Sequence, residues 1–119
     1  MAYVDGFVVP VPEANLKAYA AMSRKAGKIW KEYGALEYRE CALDDAEVKG
    51  AMPMTKAVKL KPGETVFFSW IVYKSKADRN RINKKVMADP RMAEMIDPKN
   101  PPFDWRRTLM GGFKVIVDM

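Results

Sequence analysis

Hydrophobic and polar positions change period several times along this chain, and each change marks an element. Tyr3–Val9 (YVDGFVV) is rich in β-branched and aromatic residues and is closed by Pro10 and Pro12, which predicts a strand. From Asn15 to Tyr33 one side recurs every three to four residues, at Leu16, Tyr19, Ala20, Ser23, Ala26, Trp30 and Tyr33. Lys17, Arg24, Lys28 and Lys31 take the opposite side. That period predicts an amphipathic helix, which Gly34 can end in the left-handed conformation. Leu36–Leu43 (LEYRECAL) mixes apolar and charged residues as an edge strand does. Residues 44–63 form a long connection, read as a functional loop or a partner-contacting arm.

Glu64–Lys74 (ETVFFSWIVYK) is the strongest strand in the chain. Ser75-Lys76-Ala77-Asp78 resembles a capping box, and the helix it opens runs to Ala88 before Asp89-Pro90 stops it. Arg91–Met95 adds a further turn, Asp97–Pro102 is a proline-rich connector, and Leu109–Val117 is the last strand. The order is strand–helix–strand twice over. It predicts an α+β, ferredoxin-like split βαβ sandwich (βαββαβ) in one domain over residues 1–119.

Strand parity adds an expectation about assembly. Val66, Phe68, Trp70 and Val72 point one way; Phe67, Ile71 and Tyr73, with Thr65 and Ser69, point the other. Val4 and Val8 oppose Tyr3, Phe7 and Val9 in the same manner. Both sheet faces are therefore apolar, whereas two helices on one side cover only one of them. A bare apolar face of that size predicts a homodimer joined through the sheet faces, a dimeric α/β barrel.

Composition narrows the chemistry. The 119 residues are 49% hydrophobic and 30% charged, enough for a core. Histidine is absent, which removes Ser-His and Cys-His catalysis, His-ligated metals and an imidazole switch. Cys41 is the single cysteine, so no disulfide closes within the chain, and an inert, buried thiol is the simpler reading. No metal or cofactor is expected. No apolar run approaches the length of a membrane span, and a cytoplasmic location is expected.

Twenty-one basic against 15 acidic residues give +6, which raises nucleic acid as a partner. Met110-Gly111-Gly112-Phe113-Lys114-Val115-Ile116 lacks the basic lead and second aromatic of a sheet-type RNA binder, and sheet-to-sheet dimerisation would hide the stacking face. Nucleic acid is disfavoured.

Asp5 lies in a central strand, where an unpaired carboxylate is costly. It is either a pocket carboxylate or, the reading we favour, a structural one satisfied by Arg39, Arg107 or backbone amides. Glu40 and Arg39 alternate on an edge strand, where solvated or cross-strand pairing is the default. Asp104, Arg106 and Arg107 follow a proline-rich turn; the arginine pair could hold an anion or anchor the loop. Gly111-Gly112 precedes a strand and not a helix, so a bulge or close backbone contact is read in place of a phosphate loop. Trp105 is the tryptophan with no apolar stripe to join. The candidate ligand-binding set is Asp5, Glu40, Ser69, Trp70, Asp104 and Arg107, with no catalytic residue assigned.

Several stretches resemble the YbaA-like bacterial proteins, the domain-of-unknown-function family 1428. They are Tyr3–Val9, Glu40-Cys41, Phe68-Ser69-Trp70 within Glu64–Trp70, Met87–Met92 (MADPRM), and Pro102-Phe103-Asp104 followed by Arg107 and Gly111-Gly112-Phe113. The resemblance implies ferredoxin-like protomers joined through their sheets and brings no established activity. Met54-Thr55-Lys56 before Ala57-Val58, and Trp105 after the Pro-Phe-Asp triplet, depart from the family's usual residues. The resulting expectation is a small dimeric protein that binds a small molecule between sheet and helices. Analogy with other proteins of that architecture offers a cofactor-free monooxygenase- or isomerase-like enzyme as the alternative, and a basic RNA-associated protein as a second.

Overall fold

The predicted order of strands and helices is present in the computed structural model, which describes residues 1–119. Strands β1 (Tyr3–Pro12), β2 (Glu37–Ala42), β3 (Glu64–Tyr73) and β4 (Leu109–Lys114) form one antiparallel sheet in the order β2-β3-β1-β4. Helix α1 (Leu16–Glu32) joins β1 to β2, a short α2 (Met54–Ala57) lies in the long connection, and α3 (Lys76–Ala88) and α4 (Pro90–Met95) follow β3. This is the ferredoxin-like α+β arrangement.

Local chemistry explains the boundaries. Gly34, at φ +117°, turns the chain out of α1. Ser75 caps α3 by accepting the Asp78 amide at 3.1 Å, as the capping pattern predicts. Asp89 ends α3 and caps α4 by accepting the Arg91 amide at 2.9 Å. Its carboxyl is held well below the usual carboxylate range, chiefly by the Arg91 guanidinium.

Three boundary expectations need correction. β1 runs on through Pro10 to Pro12, because its pairing with β4 ends at Val8↔Leu109 and the prolines lie where β1 has one neighbour. β4 stops at Lys114, opposite Tyr3; beyond it only the Val115 amide finds β1, at Ala2. Cys41 is exposed, since parity sets it on the outer face of the edge strand opposite Phe68.

Both long helices pack on the sheet face that carries Phe67, Ser69, Ile71 and Tyr73. Towards one end Val9, Val11, Tyr19, Phe67 and Phe103 form a cluster, with the Tyr19 and Phe103 rings edge-on at 5.6 Å. Towards the other, Ile29, Ala35, Ile71, Tyr73, Ile82 and Val86 form a second. Burying side chains of this kind contributes about 1.5–3 kcal/mol each. The opposite face carries no helix. There Phe68, Leu109 and Phe113 are 43%, 53% and 60% exposed around Val4, Gly6 and Val8. A thickness of 20 Å fits one helix layer on one sheet. No helix is long and apolar enough to cross a membrane.

Candidate functional site

The helix-covered face of the sheet carries two carboxylates, set there by parity. In β1, Asp5 falls in phase with Phe7 and Val9; in β2, Glu40 falls in phase with Tyr38 and Ala42. Between this face and the helices lies a cavity of about 500 Å³. Its walls are mainly apolar, with Phe7, Met22, Trp30, Phe103 and the α4 residues Met92 and Met95 among them. Asp5, Glu40 and Ser69 supply polar groups.

Asp5 is buried and fully engaged. The Arg79 Nε–H donates to its Oδ1 at 3.1 Å and the Tyr73 hydroxyl donates to its Oδ2 at 3.0 Å. Tyr73 in turn accepts the Trp30 indole N–H at 3.2 Å, and its own ionisation is pushed up by burial and by Asp5. The Arg79 guanidinium stacks over the Tyr3 ring at 4.9 Å. Gly112 makes room for this pair. A Cβ there would lie 2.5 Å from the Tyr3 hydroxyl and against Arg79. The Gly-Gly pair thus serves a close backbone contact, and the β1–β4 register runs through it without a bulge.

Glu40 is held differently. The Tyr19 hydroxyl donates to its Oε1 and the Ser23 hydroxyl to its Oε2, each at 2.9 Å, while Ser69 is its register partner on β3. Its carboxylate has no cationic partner within ion-pair distance. Burial pushes its pKa up, and the Tyr19, Ser23 and Ser69 hydroxyls offset only part of that shift. Tyr19 and Tyr38 are likewise pushed up, first by burial and then by Glu40, so both stay protonated donors. Expecting Glu40 to be solvated or paired across strands misses this inward position.

Glu40 also belongs to a second opening. A groove of about 1010 Å³ runs outside α1 and β2, rimmed by Arg24, Lys28, Lys31 and Arg39 with Glu32 and Glu37 among them. Tyr19, Ser23, Tyr38 and Glu40 wall both the groove and the inner cavity. The Tyr38 ring lies flat on α1 at Gly27, where a Cβ would come within 2.8 Å of it.

The remaining candidates are placed differently. Trp70 borders both the cavity and the outer sheet face, its indole N–H donating to Glu37 Oε1 at 3.0 Å. Arg107 is anchored to Glu64, with Nη2 at 2.9 Å from Oε1, and also donates to the Lys59 carbonyl at 3.3 Å. It therefore ties the end of the long connection to the turn before β4. Asp104 accepts from Arg106 Nε at 3.2 Å on the surface. Neither Asp104 nor Arg107 lines the cavity, and Asp5 and Arg107 do not converge. Trp105 does line it, edge-on to Phe103 at 4.8 Å. Arg79, in place of the expected Arg39 or Arg107, is the cation that satisfies Asp5.

The profile described as Protein of unknown function (DUF1428) matches residues 2–105. The chain is 45% identical over 118 residues to the uncharacterized protein YbaA of Escherichia coli strain K12, covering 99% of both chains. The uncharacterized protein YbaA of Shigella flexneri matches to the same extent. Among solved structures, a dimeric ferredoxin-like protein from an uncultured marine organism superposes with a TM-score of 0.58 at 9% identity, over 100% of each chain. That likeness is one of fold.

Proposed function

The chain belongs to the DUF1428 family, and from that premise we propose that it is a small-molecule-binding protein whose site is the cavity between sheet and helices. One observation carries the reading. A 500 Å³ cavity persists beside a buried carboxylate that has no cation, where ordinary folding would favour close packing. The methionines on the α4 side can adjust to a guest, and the hydroxyl-held carboxylate can orient one. Asp5 and Ser69 belong to the same site; Asp5 supports it from below through Tyr73. The expected compartment is the reducing cytoplasm.

The protein works as a homodimer in this reading, with the outer sheet faces packed together. Phe68, Leu109 and Phe113 support this, because they expose on one flat face the apolar side chains that two-layer folds otherwise bury. The dimeric state of the marine ferredoxin-like protein is in keeping with it. Light scattering at micromolar concentration should give twice 13.5 kDa, and Phe68→Asp should lower the mass to that of one chain. A monomeric wild type would refute the assembly.

Binding is tested with 4-nitroanisole, a flat apolar probe, followed by amide chemical shifts. Saturable shifts at Ala26, Ser69 and Met95, abolished in Ala93→Trp at the cavity wall, are expected. Shifts confined to Leu109 and Phe113, or none, would overturn the cavity reading.

A further inference from the structure

Glu40 stands out among the groups that face the cavity. Asp5 has a guanidinium and a phenol; Glu40 has two hydroxyl donors, one on each oxygen, at 2.9 Å. A carboxylate accepts about four hydrogen bonds, so even with the Ser69 hydroxyl beside it Glu40 retains accepting capacity. A guest group that meets this carboxylate must therefore be a donor. Another acceptor would be repelled, and an apolar group would leave the charge further desolvated.

Donors are neutral, an O–H or N–H, or cationic, an ammonium or guanidinium. The surroundings separate these two groups, and among the neutral donors an O–H makes the shorter, stronger bond to a carboxylate. A way to Glu40 from solvent is the outer groove, where Glu37 is paired with Arg39 and Glu32 with Arg91, so that Arg24, Lys28 and Lys31 leave the rim net basic and unfavourable to a cation. The cavity walls are aromatic and thioether side chains, including Phe7, Trp30, Phe103 and Met92, which suit a flat, neutral body. Resting on the cavity reading above, we propose that the ligand class is a hydroxyl-bearing aromatic compound, a phenol or enol, whose O–H donates to Glu40. The outer groove, which shares Glu40 with the cavity, gives that carboxylate a path to exchange its proton with water.

Once Glu40 is ionised, the bound state thus has a neutral O–H facing a carboxylate, with protonated Tyr19 and Tyr38 beside it. Arg24, Lys28, Lys31 and Glu32 face the groove from α1, Glu37 and Arg39 from β2, and Asp5 is neutralised by Arg79 two strands away. The α3 and α4 walls contribute Asn83 and methionines, with no titratable group among them.

The test compares 4-nitrophenol with 4-nitroanisole, in which a methyl replaces the donor hydrogen, on wild type and Glu40→Gln. At a pH where the phenol is neutral and Glu40 is ionised, wild type should prefer the phenol by about tenfold, the scale of a hydrogen bond to a charged acceptor. The preference should shrink to about twofold in Glu40→Gln. Equal affinity of the two probes for wild type, or an undiminished preference in Glu40→Gln, would overturn the proposal while leaving the cavity reading standing. Failure of both probes to bind would sink the cavity reading, and this proposal with it. Tighter binding of 4-nitrobenzylamine than of 4-nitrophenol would overturn the hydroxyl class. Should Glu40→Gln fail to fold, wild type alone decides. Phenol affinity must rise as Glu40 ionises and fall as the phenol ionises, while anisole affinity stays flat.

Discussion

Asp5 and Glu40 hang from the same face of one sheet, two strands apart, yet the chain surrounds them differently. Asp5 meets the Arg79 guanidinium and the Tyr73 phenol, and Gly112 leaves room for that guanidinium and for the Tyr3 ring it stacks on. Glu40 meets hydroxyls alone and borders two openings. Both are costly to bury; a cation offsets the cost at Asp5, whereas hydroxyls offset only part of it at Glu40. A charge neutralised by a guanidinium belongs to the fold. A charge with no cation, beside a cavity and with accepting capacity to spare, is available to something else. The contrast assigns stability to one carboxylate and recognition to the other.

The largest effect should come from breaking the complete pair. Arg79→Met keeps the apolar stem, removes the charge and strands Asp5, which should cost about 3 kcal/mol in urea unfolding at fixed protein concentration. Adding Asp5→Asn should recover a substantial part of that loss, because the stranded charge goes with it. A loss below about 0.5 kcal/mol in the single variant would place Asp5 outside the structural role given to it here. Next in size is Gly112→Ala. Its Cβ must displace Arg79 and Tyr3, at about 1–2 kcal/mol. In the Arg79→Met background the same change should cost measurably less, since one of the two obstacles is a flexible thioether. Equal costs in both backgrounds would mean that Tyr3 alone carries the contact.

How far the chain disclosed these two sites differs as well. The strand–helix order, the capping of α3 and the apolar character of both sheet faces follow from local patterns, and the fold agrees with them. The end of β1 was harder to read, because two prolines mark a strand's end in sequence but are tolerated where a strand has lost one neighbour. Arg79 was legible in principle: it lies three and seven residues before Ile82 and Val86, the buried stripe of α3, so it must face the sheet. Glu40 was legible by the same means, sharing its parity with Tyr38 and Ala42. Reading Leu36–Leu43 as a mixed edge strand concealed that, since an edge position says nothing of which face a helix will cover. That the cavity itself remains open could not be read at all. It depends on how far α3 and α4 stand from the sheet, which the apolar period does not fix.

The smallest effect is the most direct on the comparison. Glu40→Gln keeps the side chain's shape and one acceptor for Tyr19 or Ser23, so its stability at neutral pH should lie within about 1 kcal/mol of wild type. Its pH profile should differ in sign from that of an ion-paired carboxylate. Burial raises the Glu40 pKa in the folded chain, so the folded state holds this proton more tightly than the unfolded state does. The contribution is fully present below the ordinary glutamate range and is lost as pH rises through the raised folded value. Wild type minus Glu40→Gln should therefore fall as pH climbs from that ordinary range, and then level off. Carboxylates with cations, such as Glu64 with Arg107, have lowered values and contribute the opposite slope, losing stability as pH falls. Because Glu64 is common to both proteins, its slope cancels in the difference. A difference profile that rises with pH would mean that Glu40 is stabilised in its charged form, as Glu64 is by Arg107. Its burial would then be fully offset, and the case for an unfilled acceptor beside the cavity would fail.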